Sequence, residues 1–179
     1  MKNSPINNIS NNEIHIFIIW EKARYKEDEI FNNLKKDFLI IDVIDIEWSK
    51  SLFSNNLTRF YGQNLPIGSH KEEHVGNGEF RLIIIQDKKP LYQARQTSKG
   101  ISFVNINTFD RKSFFRDLTG GGHKIHSSNT ETESRHDLFL ILGIDAKKYF
   151  NNTSNEWDNK IKSHHSDLVG ANGWSNLDE

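Results

Sequence analysis

A histidine that takes a phosphoryl group needs a neutral ring, a fixed tautomer and an open approach for phosphate. Residues 119–143 (TGGGHKIHSSNTETESRHDLFLILG) offer such a setting around His126. The segment reads as a glycine turn, a short strand ending near His126, and a helix that starts just beyond it. Asp137 lies in that helix, where its carboxylate could hold one ring nitrogen, and Ser128 could in turn hold the carboxylate. The plainer reading of the same residues is a partly buried histidine hydrogen-bonded near a helix N-terminus. Basic side chains that could meet phosphate are Lys22, at the end of the first predicted strand, and Arg111, Lys112 and Arg116 on one predicted helix. Arg111 and Arg116 are not stacked helical neighbours, yet they could flank a triphosphate through charge-assisted contacts. Each has a solvated helix face as its alternative. Gly120, Gly121 and Gly122 could let backbone approach phosphates, but without the Gly-Lys-Ser/Thr ending of a P-loop. They serve equally well as a helix stop. Tyr61 or Phe60 could stack on a base, and Phe60 is also a natural core residue.

A metal site built from side chains is not expected. His70 and His74 would face the same way only on a helix, and Gly68, Gly76 and Gly78 argue for a loop. Strand spacing would put His123 and His126 on opposite faces. His136 completes the set without a clear partner.

The elements that must position these groups are readable in outline. The chain has 179 residues, enough for one domain with a core. Mean hydropathy is −0.67, and twelve Phe and four Trp supply apolar bulk. The net charge of −1 gives no cationic excess for a nucleic-acid backbone or an anionic membrane. With no Cys, disulfides, thiolate metal sites and Cys nucleophiles are excluded. The first twelve residues lack a signal-like apolar stretch, and the apolar run 16–20 is too short to span a bilayer. The default is therefore a soluble cytoplasmic protein.

Residues 1–12 read as a disordered tail, 13–150 as the folded domain, and 151–179 as a polar linker or tail. Strands are expected over 14–20, 39–48, 80–86 and 123–127, and helices over 25–38, 52–61, 108–118 and 134–142. Ser49 is a good N-cap for the second helix. Thr130 and Glu133 form a capping box for the last, and Gly143 ends it. Residues 63–78 read as a loop. Residues 88–105 fit either a helix around 92–97 or a hairpin closed by Ser98-Lys99-Gly100. The resulting β-α-β-α-β-α-β-α order predicts an α+β fold: a ferredoxin-like four-stranded antiparallel sheet with helices packed on one face. A small parallel doubly wound sheet is the alternative.

The run HKIHSSNTETESRHDLFLIL resembles the end of the nucleoside diphosphate kinase domain. In that family the catalytic histidine is followed by a small residue, Ser, an acidic or amide residue and Ser, then by a helix bearing a carboxylate. Here those positions hold His126-Ser127-Ser128-Asn129-Thr130 and Asp137. The earlier strand, helix and Phe60-Tyr61 pair, where the family has an active-site Tyr, extend the resemblance over roughly 13–143. The chain also departs from the pattern. The first strand ends Trp20-Glu21-Lys22-Ala23 in place of Lys-Pro-Asp, His123 stands where the family has Asn, and the loop before the histidine is reduced to Gly120–Gly122.

The resemblance implies a phosphotransferase with His126 as nucleophile and Asp137 and Ser128 supporting it. It implies nucleotide and phosphate contacts from Lys22, Tyr61 and His123, with Arg95, Arg111, Arg116 and Thr119 as candidates for the family's two Arg and a Thr. It also implies Mg²⁺ carried in on ATP or another nucleoside triphosphate, a diphosphate or other phosphorylated acceptor, and a possible homo-oligomer. The other readings are a catalytically silent nucleotide- or sugar-phosphate-binding module and a purely structural domain. The polar tail is similar to those in multi-domain proteins of bacterial surface-polysaccharide loci. It suggests the N-terminal module of a longer protein with a C-terminal domain.

Overall fold

The computed structural model describes residues 12–150 and 156–170. The predicted N-terminal tail, but for Asn12, lies outside them, as do 151–155 and 171–179 of the predicted linker.

The organising strand is β1 (Glu13–Ile19), whose near-continuous apolar sequence is buried on both sides. It pairs antiparallel with β3 (Phe80–Asp87) along its whole length and with β6 (Ile125–Ser127) at its C-terminal end. β2 (Leu39–Trp48) pairs antiparallel with β3. The sheet order is β6-β1-β3-β2-β7, with β7 (Lys162–Ser166) parallel to β2. The sheet is therefore five-stranded and mixed, not four-stranded and wholly antiparallel, within an α+β fold.

Strand side chains alternate between faces, and here both faces carry a core. On one, Ile14, Ile16 and Ile18 of β1 and Trp20 just beyond it pack with Leu57 and Phe60 of α2 (Phe53–Tyr61) and Leu138 and Ile141 of α5 (Glu131–Leu142). On the other, Phe17 and Ile19 pack with Ile30 and Leu34 of α1 (Glu27–Leu34) and Phe115 of α4 (Ile106–Leu118). The expectation of helices on one face is corrected by this: β1 and β3 are apolar at nearly every position because both sides need covering. A bulge between Ile40 and Asp42 shifts β2 by one residue. It sends Ile41 into the first core with Ile44 and Ile46, while Ile40 and Val43 face the second.

Residues 88–105 resolve into a separate hairpin, β4 (Tyr92–Thr97) with β5 (Gly100–Asn105). Asn105 caps α4, its side chain accepting from Asn107 N–H. The predicted loop over 63–78 contains a helix, α3 (His70–Val75), capped by Ser69, which accepts from Glu72 N–H at 3.2 Å. Ser49 is no cap. It precedes a 3₁₀ turn, Lys50–Leu52, and its hydroxyl donates to Asp167.

β7 arises within the stretch read as linker. Its polar sequence suits an edge strand with little buried surface. Lys162 Nζ lies 2.9 Å from Asp42 Oδ1, Val169 enters the first core, and Trp157 packs edge-on to Phe31 at 5.2 Å between centroids. No helix among the described residues is long and apolar enough to cross a membrane.

Candidate active site

Pairing of β6 with β1 puts His126 opposite Ile18, and its ring faces the α2–α5 side of the sheet. Helix α5 begins where the sequence predicts. Thr130 accepts from Glu133 N–H at 3.1 Å, and Glu133 Oε2 accepts from Asn129 N–H at 2.8 Å. This reciprocal cap fixes the start of α5 against the end of β6. Two turns into the helix, Asp137 Oδ2 lies 2.9 Å from His126 Nε2. Both side chains are almost fully buried, at 9% and 4% exposure. The other carboxylate oxygen lies 3.3 Å from His136 Nδ1, and that hydrogen bond raises the His136 pKa.

An ionised carboxylate only accepts, so Nε2 carries the hydrogen. In the neutral ring this leaves a lone pair on Nδ1. Nδ1 has no hydrogen-bond partner among the described residues, and it is not among the enclosed polar atoms left without one. The residual exposure of the ring therefore includes Nδ1. Phe60 and Tyr61 meet the ring edge-on, at 5.0 and 5.7 Å between centroids, and hold its plane. Tyr61 is held in turn by Trp20, whose Nε1–H donates to the phenol oxygen at 3.2 Å.

Cations cluster near the ends of β6 and the Tyr61 ring. Arg116 Nε donates to the carbonyl of Ile125, beside His126, at 3.0 Å. Its remaining guanidinium nitrogens have no acceptor among the described residues. Lys71 of α3 lies over the Tyr61 ring, Nζ 3.2 Å from the centroid, also with no acceptor. Lys112 is buried and donates to Asn129 Oδ1 at 2.8 Å. Burial, then the charge of Arg116, pulls Lys71 and Lys112 each down to about 8. Burial lowers Arg116 as well. His123 is lowered by burial, then by Arg116, Lys71, His74 and Lys112. Like charges gathered in a partly desolvated place disfavour one another and favour an anion among them. The glycine turn makes this cluster possible. Gly120, Gly121 and Gly122 all have positive φ, and a Cβ on Gly122 would lie 1.7 Å from His74 Nε2.

The structure brings together His126, Asp137, Tyr61, Arg116 and His123 from the sequence-derived set. Ser128 takes a different partner from the one expected. Its hydroxyl lies 2.9 Å from His15 Nδ1 and accepts from Ile16 N–H, so it ties β6 to β1 and does not hold Asp137. Thr119 is buried and bonds back to the carbonyls of Phe115 and Arg116 at the end of α4. Lys22 donates to the carbonyl of Glu73, Arg95 pairs with Asp110, and Arg111 pairs with Asn33 and Asp37. Lys71 is not in the sequence-derived set, since the glycines flanking α3 point to a loop. Ser69 followed three residues later by Glu72 is the capping signature that marks it. Lys112 and Arg116, four residues apart, share a helix face that Arg111 does not.

Comparison with protein-family models finds no match, and comparison with curated proteins finds none. Solved structures similar to the chain include the apo, cubic-form nucleoside diphosphate kinase of Encephalitozoon cuniculi. It has a TM-score of 0.46 and 14% identity, over 74% of this chain and 90% of that one. An orthorhombic form of the Aquifex aeolicus nucleoside diphosphate kinase also scores 0.46, at 12% identity over 71% and 92%. At such scores the likeness carries no argument, and the function is read from the site itself.

The two lysines give the site a pH signature. Ligand-free, the folded chain has released protons above pH 8 that the unfolded chain holds to roughly 10.5. Stability contributed by Lys71 and Lys112 therefore rises across that interval. Anion binding runs the other way, since it requires the charged form. Inorganic tripolyphosphate should raise the melting temperature clearly at pH 7 and much less at pH 9.5. A shift that is equal or larger at pH 9.5 would remove these lysines from the anion site.

Proposed function

We propose that the chain is a phosphotransferase that works through a phosphohistidine on His126. What supports this reading most is one juxtaposition: the unpartnered Nδ1 of a tautomer-fixed, nearly buried histidine near Lys71 and Arg116, two cations with no counter-anion among the described residues. The phosphoryl donor is a nucleoside triphosphate such as ATP. The Nδ1 lone pair attacks the γ-phosphorus in line, the N–P bond forms as the bond to the bridging oxygen breaks, and the diphosphate leaves. Asp137, accepting from Nε2–H, stabilises the positive charge that the ring gains. Lys71, Arg116, Lys112 and His123 spread the charge on the phosphate oxygens. An acceptor, a nucleoside diphosphate or another phosphorylated metabolite, then attacks phosphorus and the N–P bond breaks. The cationic lining fits phosphate oxygens, and Mg²⁺ arrives on the nucleotide as part of the substrate.

Such a cycle leaves a kinetic mark. Initial rates with ATP and a second nucleoside diphosphate varied together should give parallel double-reciprocal lines. Intersecting lines would mean direct transfer and would exclude the covalent step. Asp137→Asn can hold the ring in the wrong tautomer. It should slow transfer roughly 10²-fold or more while nucleotide affinity changes little. An unchanged rate would leave Asp137 a structural partner only. Nucleotide-dependent thermal stabilisation without any transfer would favour the silent binding module.

A further inference from the structure

We propose that His126, Glu133 and Asp137 also form a Zn²⁺ site whose occupation switches the nucleophile off. The switch rests on the phosphohistidine reading above; the metal site does not. Glu133 and Asp137 stand four residues apart on α5, so two carboxylates share one helix face and point toward one imidazole. Such like-charge pairs destabilise a helix unless a cation lies between them. His126 Nε2 is 2.9 Å from Asp137 Oδ2 and 3.9 Å from Glu133 Oε1. One donor atom from each residue lies within 4.8 Å of the other two. Glu133 is not free to swing away, because its second oxygen accepts from Asn129 N–H.

Zn²⁺ takes imidazole nitrogen and carboxylate oxygen at about 2.0–2.2 Å, with neighbouring donors of a tetrahedral ion a little over 3 Å apart. Reaching that spacing requires the 2.9 Å His126–Asp137 pair to open slightly and the Glu133 oxygen, 3.9 Å from the ring nitrogen, to close in. One imidazole and two carboxylates leave the fourth position to water. This donor set suits a borderline ion and not Mg²⁺, which prefers all-oxygen octahedra.

The consequence follows from the tautomer. Zn²⁺ can bind Nε2 only through its lone pair, so the Nε2–H bond breaks with its proton passing to solvent, the Zn–N bond forms, and the ring takes up a proton at Nδ1 from solvent. A neutral ring neither gains nor loses a proton overall. With Nδ1 protonated, no lone pair remains to attack phosphorus. One ring serves either the metal or the phosphoryl group.

The test titrates Co²⁺ into the full chain and follows the visible absorption of the four-coordinate ion, then displaces it with Zn²⁺. Glu133→Gln keeps an oxygen for the Asn129 cap while removing the charge, so the fold is retained. Glu133→Gln, Asp137→Asn and His126→Ala should each weaken Co²⁺ binding about tenfold or more. His70→Ala/His74→Ala, which removes the stacked pair on α3, should leave it unchanged. Binding that survives Glu133→Gln, binding lost with the α3 pair, or no binding at all overturns the site. Stoichiometric Zn²⁺ should also suppress phosphoryl labelling of the wild type, with excess Mg²⁺ giving no rescue. Labelling that persists at saturating Zn²⁺ overturns the switch. A chain that binds Co²⁺ at these three residues but is never labelled would refute the phosphotransferase while leaving the metal site standing.

Discussion

Replacing His126 with Ala should reduce phosphoryl transfer by at least about 10³-fold, because it removes the nitrogen on which the covalent intermediate forms. Folding should survive, since the ring contributes little apolar area and β6 is held by backbone pairing to β1. The alanine leaves the buried Asp137 with His136 as its remaining partner. His126→Gln supplies a substitute donor and should be equally inactive with a melting temperature nearer the wild type. Steady-state exchange between ATP and a second diphosphate, measured beside a thermal melt, separates the two effects. Transfer within tenfold of wild type in either variant would displace His126 from the mechanism. A large loss accompanied by unfolding of both variants would make its role structural.

The second large effect is on stability. Trp20 is fully buried and sits amid Trp48, Phe53, Phe60, Tyr61 and Phe80, with centroids 4.6–6.4 Å away. Its indole N–H also holds Tyr61, which stands against His126. Trp20→Ala opens a cavity where several rings meet, and such truncations cost about 3–5 kcal/mol. In a domain of this size that lowers the melting temperature by roughly 10 °C. Trp20→Phe keeps most of the packing and removes the N–H donor. It should lose far less stability, yet loosen Tyr61 and slow transfer. Denaturant unfolding and initial rates on both variants check this. A Trp20→Ala protein as stable as wild type would contradict the packing described here.

Much of this geometry was legible in the sequence where one local rule was decisive. The Thr130–Glu133 box marks where α5 begins and the strand before it ends near His126, which puts Asp137 within reach of the ring; the family resemblance singles out that carboxylate, and the structure sets the two 2.9 Å apart. The apolar density of β1 and β3 marks buried central strands, but a continuous apolar run does not say which helices cover each face. The six-residue α3 was hidden because Gly68 and Gly76, which close its ends, look like loop. β7 was hidden more deeply. Lys162–Ser166 has no apolar alternation because an edge strand buries little, and only its parallel pairing with β2 makes it a strand. The partners of Ser128, Arg95 and Arg111 lie far along the chain or across elements, and no local spacing announces them. The structure pairs the histidine and carboxylate that the sequence singles out, and it adds cations that local spacing does not announce. Lys71 comes from the unread helix, and Lys112 is drawn inward to Asn129.

The account stands on the phosphohistidine. The most direct measurement is incubation of the wild-type chain with γ-³²P-labelled ATP and Mg²⁺, followed by acid and base treatment of the protein and localisation of the label. The predicted result is one label per chain, lost in acid, stable in base, and carried by the peptide that contains His126. No label, or a label that is acid-stable or lies on another residue, would contradict it.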